Sequence, residues 1–108
     1  MGSNHLGHNR RRWPRERVTL AGSAMSLTRS RSVVIADVSA KGARLGGRDL
    51  PAPGDELLMV VGSQDRMGTV QWRQADHCGI LIDEPLAADN IARMKHEAAW
   101  EAVTGWQR

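Results

Sequence analysis

The sequence predicts an all-β fold with one C-terminal helix, and two patterns along its 108 residues support this prediction. Six short segments of aliphatic and β-branched residues are separated by turn residues, which is typical of an antiparallel barrel or sandwich. After Pro85 the composition shifts to Ala, Glu, Lys, Arg and Met, which are strong helix formers. A chain of this length has room for one domain with a modest core.

The first three predicted strands lie in the N-terminal half. Val18–Leu27 alternates roughly with period two, and its small residues Gly22 and Ser23 are consistent with a bulge or kink. Ser32–Ser39 is rich in β-branched residues, and Gly42–Leu45 follows a short turn as the return strand of a hairpin.

The remaining elements follow a loop at Gly46–Asp55, where Gly and Pro are concentrated. Three further strands are predicted at Glu56–Val61, Met67–Arg73 and His77–Ile82. A helix is predicted over about 86–103, because apolar residues recur there at spacings of three and four, namely Ile91, Met94, Ala98 and Ala102. Residues 1–9 are expected to form a flexible tail before a single domain at residues 10–108.

The net charge of +3 hides an asymmetry between the two halves of the chain. Residues 1–48 contain ten basic and two acidic residues, whereas residues 49–108 contain five basic and ten acidic residues. The N-terminal half therefore attracts anions, and a partner that carries phosphates fits it. A uniformly basic surface for a nucleic-acid polymer does not fit this distribution, and the absence of Phe and Tyr argues against RNA readers that stack bases on such residues.

Further features of the sequence limit where the protein is located and which chemistry it can perform. The single Cys78 allows no internal disulfide, no signal peptide is recognisable, and the longest apolar run, Leu57–Val61, is too short to cross a bilayer. We expect a soluble, cytoplasmic protein without a membrane span. His5 and His8 lack further metal ligands, so no metal site is predicted. His77 and Cys78 would face opposite sides of a strand, which does not make a nucleophile and base pair, and no enzyme is predicted.

The string DVSAKG, at residues 37–42, is the first candidate site. Asp37 and Ser39 share one face of the predicted strand, and this face is the outer wall if Val34 and its alternate neighbours point into the core. Gly42 follows the turn, where the missing Cβ permits a ligand to approach the backbone. Taken alone, the same D-x-S-x-x-G pattern is also typical of a hairpin turn.

The string RRRWPR, at residues 10–15, is the second candidate site. Pro14 disfavours a helix, so the arginine segment 10–17 is predicted to be extended or turned. Each guanidinium can bond in a bidentate manner to a phosphate or to the edge of guanine, which an ammonium group cannot do. An arginine cluster near a terminus is also typical of a solvated tail.

Together, the pair Arg11 and Arg15 in R-x-x-x-R and the trio Asp37, Ser39 and Gly42 in D-x-S-x-x-G resemble the PilZ domain, the bacterial receptor for cyclic di-GMP. The resemblance extends over residues 10–103 and includes the strings PGDEL, GTVQW and CGILIDEP. It implies a six-stranded antiparallel β-barrel with a C-terminal helix. It also implies second-messenger signalling through an unidentified protein effector, with no cofactor beyond the nucleotide ligand.

The resemblance also implies roles for individual residues. Arg11 and Arg15 would clamp guanine edges and phosphates, and Arg10 would assist them. Asp37 would accept hydrogen bonds from guanine N–H groups. Ser39 would bond a phosphate or a base edge, and Gly42 would leave room for the rings. The implied ligand-binding residues are Arg10, Arg11, Arg15, Asp37, Ser39 and Gly42. Trp72 is a candidate to stack a base, or else an indole packed on the barrel. Two alternatives stay open, namely a PilZ-like adaptor that does not bind nucleotide and a small RNA- or DNA-binding barrel.

Overall fold

The structure is a computed structural model that describes residues 15–106, with side chains described as far as Ala98. The predicted tail at residues 1–9 lies outside the described residues. Six strands occur in the order β1 (Glu16–Met25), β2 (Ser30–Val38), β3 (Gly42–Gly46), β4 (Glu56–Val61), β5 (Gln64–Gln74) and β6 (His77–Ile82). One helix follows, α1 (Ala88–Trp106).

All six strands pair in antiparallel fashion and close into a barrel in the order β1-β2-β3-β6-β5-β4, with β4 returning to β1. Closure excludes the sandwich that strand count alone allowed, and the predicted six-stranded barrel with a C-terminal helix is confirmed. A closed barrel leaves no long strand edge for other chains to pair with.

The barrel interior is filled by aliphatic side chains from every strand, in agreement with the absence of Phe and Tyr. The largest fully buried residues are Ile35, Leu45, Leu57, Met59, Val38, Val61, Val70 and Cys78, with Met94 added by α1. Burial raises the pKa of the Cys78 thiol. Cys78 is fully buried and packs as a small apolar residue of the core.

The observed strand bounds differ from the predicted ones mainly at the hairpins. β5 begins at Gln64 rather than Met67, because Val61 pairs with Gln64 and only Gly62 and Ser63 form the turn. Gly62 has a φ of 60°, a conformation that glycine adopts without steric cost. Such a tight turn leaves the flanking polar residues inside the strand ladder.

The predicted facing of β2 was wrong at its centre. Val33 and Ile35 point into the core, whereas Val34 is 45% exposed. Ala36 is then an extra residue on β2, since Ile35 pairs with Leu45 but Asp37 pairs with Arg44. This bulge resets the alternation, so that Val38 is fully buried while the carboxylate of Asp37 faces the outer wall as predicted.

The helix α1 starts two residues after the predicted start and ends three residues after the predicted end. Its first turn is capped by Asn90, whose Oδ1 accepts a bond of 2.8 Å from the Ala87 N–H. The helix packs on β1, β4 and β5, with Met94 and Ala98 buried against the barrel. Within the described range, no helix is long and apolar enough to cross a membrane.

Glu97 fixes α1 to the β4–β5 turn. Its Oε1 accepts bonds from the backbone N–H of Ser63 at 2.9 Å and from the Ser63 hydroxyl at 2.8 Å. These two bonds, the backbone bond first, lower the pKa of the Glu97 carboxyl. The ionised carboxylate is therefore the form that binds the turn.

We expect acid to weaken this contact. Because the pKa of Glu97 is lower in the folded state, its contribution to stability is present above the unfolded pKa of about 4.3 and is lost as the pH falls through the folded value. Glu97→Gln should therefore lower stability at pH 7 and flatten its decline below about pH 4.3. Urea unfolding at a series of pH values measures this, with Glu84→Gln, an exposed carboxylate, as the matched control. Equal pH profiles for both variants would contradict the assignment.

Candidate functional site

A groove of about 250 Å³ lies on the outer wall of the barrel, across β2, β3, β6 and β5. Its polar and charged lining comes from Arg15, Asp37, Ser39, Lys41, Arg44 and Gln71. Its apolar lining comes from Val38, Ala43, Trp72, Ile80 and Leu81, together with Gly42 and Gly79. We call this depression the outer groove.

The outer groove contains every predicted site residue that the structure describes. These are Arg15, Asp37, Ser39, Gly42 and the candidate stacking residue Trp72. Arg10 and Arg11 lie outside the described residues. Residues far apart in the sequence therefore meet at one place, because β2 and β5 both flank the central pair formed by β3 and β6.

Asp37 is paired with a residue that sequence reasoning missed. The Nε of Arg44 donates to Oδ2 of Asp37 at 2.8 Å, and the side chain of Asp37 is only 13% exposed. The register places Asp37 between two arginines, Arg44 on β3 and Arg17 on β1. The ion pair is formed with Arg44. The predicted β2–β3 hairpin could have indicated that Arg44 lies near Asp37. The exact pairing depends on the bulge at Ala36, which the sequence does not reveal.

Ser39 and Gly42 form the turn between β2 and β3. The backbone N–H of Ser39 donates to the Gly42 carbonyl at 2.9 Å, and the Gly42 N–H donates to Oγ of Ser39 at 3.2 Å. A Cβ on Gly42 would lie 2.8 Å from the carbonyl oxygen of Ile80 on β6. Both residues therefore have a structural role, which agrees with the hairpin-turn interpretation of the motif.

Trp72 lies across Gly79 on the neighbouring strand. A Cβ on Gly79 would lie 2.2 Å from Nε1 of the indole, so only glycine admits the ring at this position. A second bulge produces this pairing, because Val70 pairs with Ile80 but Trp72 pairs with Gly79, which leaves Gln71 extra. The indole is packed against the barrel, in agreement with the packing interpretation, and 39% of Trp72 is still exposed. Stacking of a base on that exposed part stays a prediction.

The charges of the outer groove favour an anion. Three cationic side chains, Arg15, Lys41 and Arg44, line it together with one carboxylate, Asp37. Within the described range, no group of three or more His, Cys, Asp or Glu residues is placed to hold a metal ion. The groove thus combines cations for phosphates, a carboxylate acceptor for N–H donors and an apolar surface for a planar ring.

Comparison with known proteins gives information on the fold. No protein-family model and no curated protein matches the sequence. Among solved structures, the chain is similar to the Bacillus subtilis inhibitor of motility, MotI/DgrA, with a TM-score of 0.59 and 14% identity. The similarity covers 86% of this chain and 51% of the other, so this chain spans about half the length of that protein. At this identity the likeness concerns the fold alone, and that fold is the PilZ-like barrel.

Proposed function

We propose that this chain is a bacterial, cytoplasmic receptor for cyclic di-GMP that acts on a protein partner and catalyses no reaction. The observation that carries the proposal is the outer groove, which brings together Arg15, Asp37, Ser39, Gly42 and Trp72. The resemblance of the sequence to the PilZ domain implies the same five residues without reference to their proximity in the fold. The solved structure with a similar fold is named an inhibitor of motility, a name that fits action on a partner.

The carboxylate of Asp37 is suited to guanine. Its Oδ2 accepts from Arg44, and Oδ1 has lone pairs to accept from the N–H donors of a guanine edge. Arg44 holds the carboxylate in place, so the acceptor is oriented before a ligand arrives. Arg44 also lines the outer groove, and its remaining N–H groups are donors suited to a phosphate or to guanine O6 and N7.

The apolar side of the groove is suited to the planar rings. Trp72 offers an indole that is 39% exposed, and Leu81 beside it is 48% exposed. Gly42 carries no side chain, and the space over Gly79 is taken by the indole itself, which therefore lies close to the sheet. A stacked base would cover apolar surface that water now contacts, and such stacking contributes about 1–3 kcal/mol per base.

Isothermal titration calorimetry of the full chain with cyclic di-GMP tests the proposal. We expect binding at micromolar ligand concentrations, and the stoichiometry separates one ligand from a stacked pair. Arg15→Ala should weaken binding by at least about 1.5 kcal/mol, because it removes charge-assisted hydrogen bonds. Arg93→Ala on α1 removes the same charge from an exposed position outside the groove and should leave the affinity unchanged. Absence of heat at micromolar ligand would refute the nucleotide part of the proposal.

A second candidate is a PilZ-like adaptor that does not bind nucleotide. The observation in its favour is that Asp37, Ser39 and Gly42 all have structural roles, in an ion pair, a turn and a close approach of strands. Under this alternative, Arg11→Ala combined with Arg15→Ala keeps full activity in cells. Under the first proposal, the same double variant loses activity together with nucleotide binding.

A further inference from the structure

A second depression, of about 540 Å³, lies on the outer wall near the start of β2. Three arginines line it, Arg29, Arg31 and Arg48, together with the hydroxyl residues Ser30 and Ser32. We call it the basic groove. None of its lining residues belongs to the outer groove, so the two depressions are separate surfaces of one barrel wall.

The floor of the basic groove is apolar. Val34 is 45% exposed at its centre, and its partners in register are Ala21 on β1 and Gly46 on β3. Because both neighbours are small, they leave the methyl groups of Val34 uncovered. An exposed β-branched residue with small residues on both sides forms a shallow seat for one apolar side chain.

The rim of the basic groove carries excess positive charge. Asp49 is the one acidic lining residue, and its Oδ2 lies 3.7 Å from Nη2 of Arg29. Both side chains of this pair are more than half exposed, so it is a weak surface contact. Within the described part of the chain, Arg31 and Arg48 form no ion pair. Arg31 lies on the same face of β2 as the buried Val33, opposite to Val34. Arg48 and the weakly paired Arg29 are therefore the cations that an anionic partner can contact beside Val34.

We propose that the basic groove is a docking site for an acidic segment of a partner protein, with an apolar side chain on Val34 and carboxylates bonded to Arg29 and Arg48. The described lining of the basic groove contains no aromatic side chain on which a base could stack, and its apolar floor fits one aliphatic side chain, so a peptide suits it better than a nucleic acid. The inference rests on the adaptor part of the proposed function, since it names the surface through which a partner is contacted.

The position of the basic groove links it to the nucleotide site. Val34 and Asp37 lie three residues apart on β2, a distance of about 10 Å along an extended strand. The two grooves are therefore neighbours on one wall of the barrel, and β2 contributes residues to both.

Fluorescence anisotropy with a labelled synthetic peptide tests the docking site. The probe carries one leucine flanked on both sides by glutamates, and we expect saturable binding that weakens as salt is added. Arg48→Glu, at an exposed position, should lower the affinity about tenfold or more, because it places like charges together. Val34→Thr keeps the shape and the strand propensity and should lower the affinity several-fold. Arg93→Glu on α1 makes the same charge change outside the basic groove and should have no effect.

The competing outcomes are distinguishable. No binding of the acidic peptide, or an equal loss for Arg48→Glu and Arg93→Glu, overturns the proposal. Tighter binding of a single-stranded RNA oligomer at the same residues also overturns it. Titration of Arg48→Glu with cyclic di-GMP separates the two hypotheses, because failure of the basic groove leaves nucleotide binding intact. Circular dichroism of each variant confirms that the barrel is folded. If Arg48→Glu does not fold, Val34→Thr still tests the docking site.

Discussion

Asp37→Ala is expected to weaken cyclic di-GMP binding at least about tenfold and also to lower the stability of the free protein. The variant removes the acceptor proposed for the guanine N–H groups, and charge-assisted hydrogen bonds of this kind contribute about 1.5–3 kcal/mol. It also leaves the guanidinium of Arg44 without the carboxylate that it contacts at 2.8 Å. Calorimetric titration measures the first effect, and urea unfolding measures the second.

Two matched variants sharpen this experiment. Asp37→Asn keeps the size and one acceptor oxygen but loses the charge, so its affinity should fall between wild type and Asp37→Ala. Asp83→Ala removes an exposed carboxylate outside the outer groove and should change neither quantity. Wild-type affinity in Asp37→Ala would exclude the carboxylate from ligand binding. If the wild-type protein does not bind cyclic di-GMP and Asp37→Ala still lowers stability, the adaptor alternative is favoured.

Gly42→Ala is expected to destabilise the barrel by about 1–3 kcal/mol, because it forces extra volume into a closely packed site. The added Cβ would lie 2.8 Å from the backbone carbonyl oxygen of Ile80, and a backbone atom cannot move aside as a flexible side chain can. In a domain of about this size, each kcal/mol lowers Tm by about 4–8 °C. Differential scanning calorimetry measures the shift.

Gly46→Ala is the control on the same strand. A Cβ at Gly46 would come no closer than 3.5 Å to the ring of His77, which is ordinary contact. The change should therefore stay within about 1 kcal/mol of wild type, helped by the lower entropy of the unfolded chain. Equal destabilisation by both variants would show that loss of glycine, rather than the approach of β6, explains the effect at Gly42.

A structural role and a proposed binding role fall on the same residues, which is why the D-x-S-x-x-G pattern alone was ambiguous. Ser39 and Gly42 build a hairpin turn, and the same turn brings Lys41 and Gly42 to the lining of the outer groove. A turn that orients backbone and side chains at the end of a strand pair is a common basis for a binding site. The structural role of the turn is therefore compatible with the binding role that we propose for it.

Much of the fold was predictable because hydrophobic periodicity and turn chemistry are local. Glu56–Val61 and His77–Ile82 were predicted with the bounds that the structure has, since each is a compact apolar run between clear turn residues. The helix was identified by its composition and by the recurrence of Ile91, Met94 and Ala98 on one face. The type and order of the elements follow from such short-range signals.

What the sequence by itself determined is the set of six strands and one helix, the identity of the motif residues and the positive charge of the N-terminal half. Only the tertiary structure decided which side chains of β2 point into the core, the pairing of Asp37 with Arg44 and the packing of Trp72 over Gly79. The physical reason is that β2 and β5 each contain a β-bulge. A single extra residue at Ala36 or Gln71 reverses the alternation of side chains, and its position depends on how each strand meets its neighbour in the closed barrel.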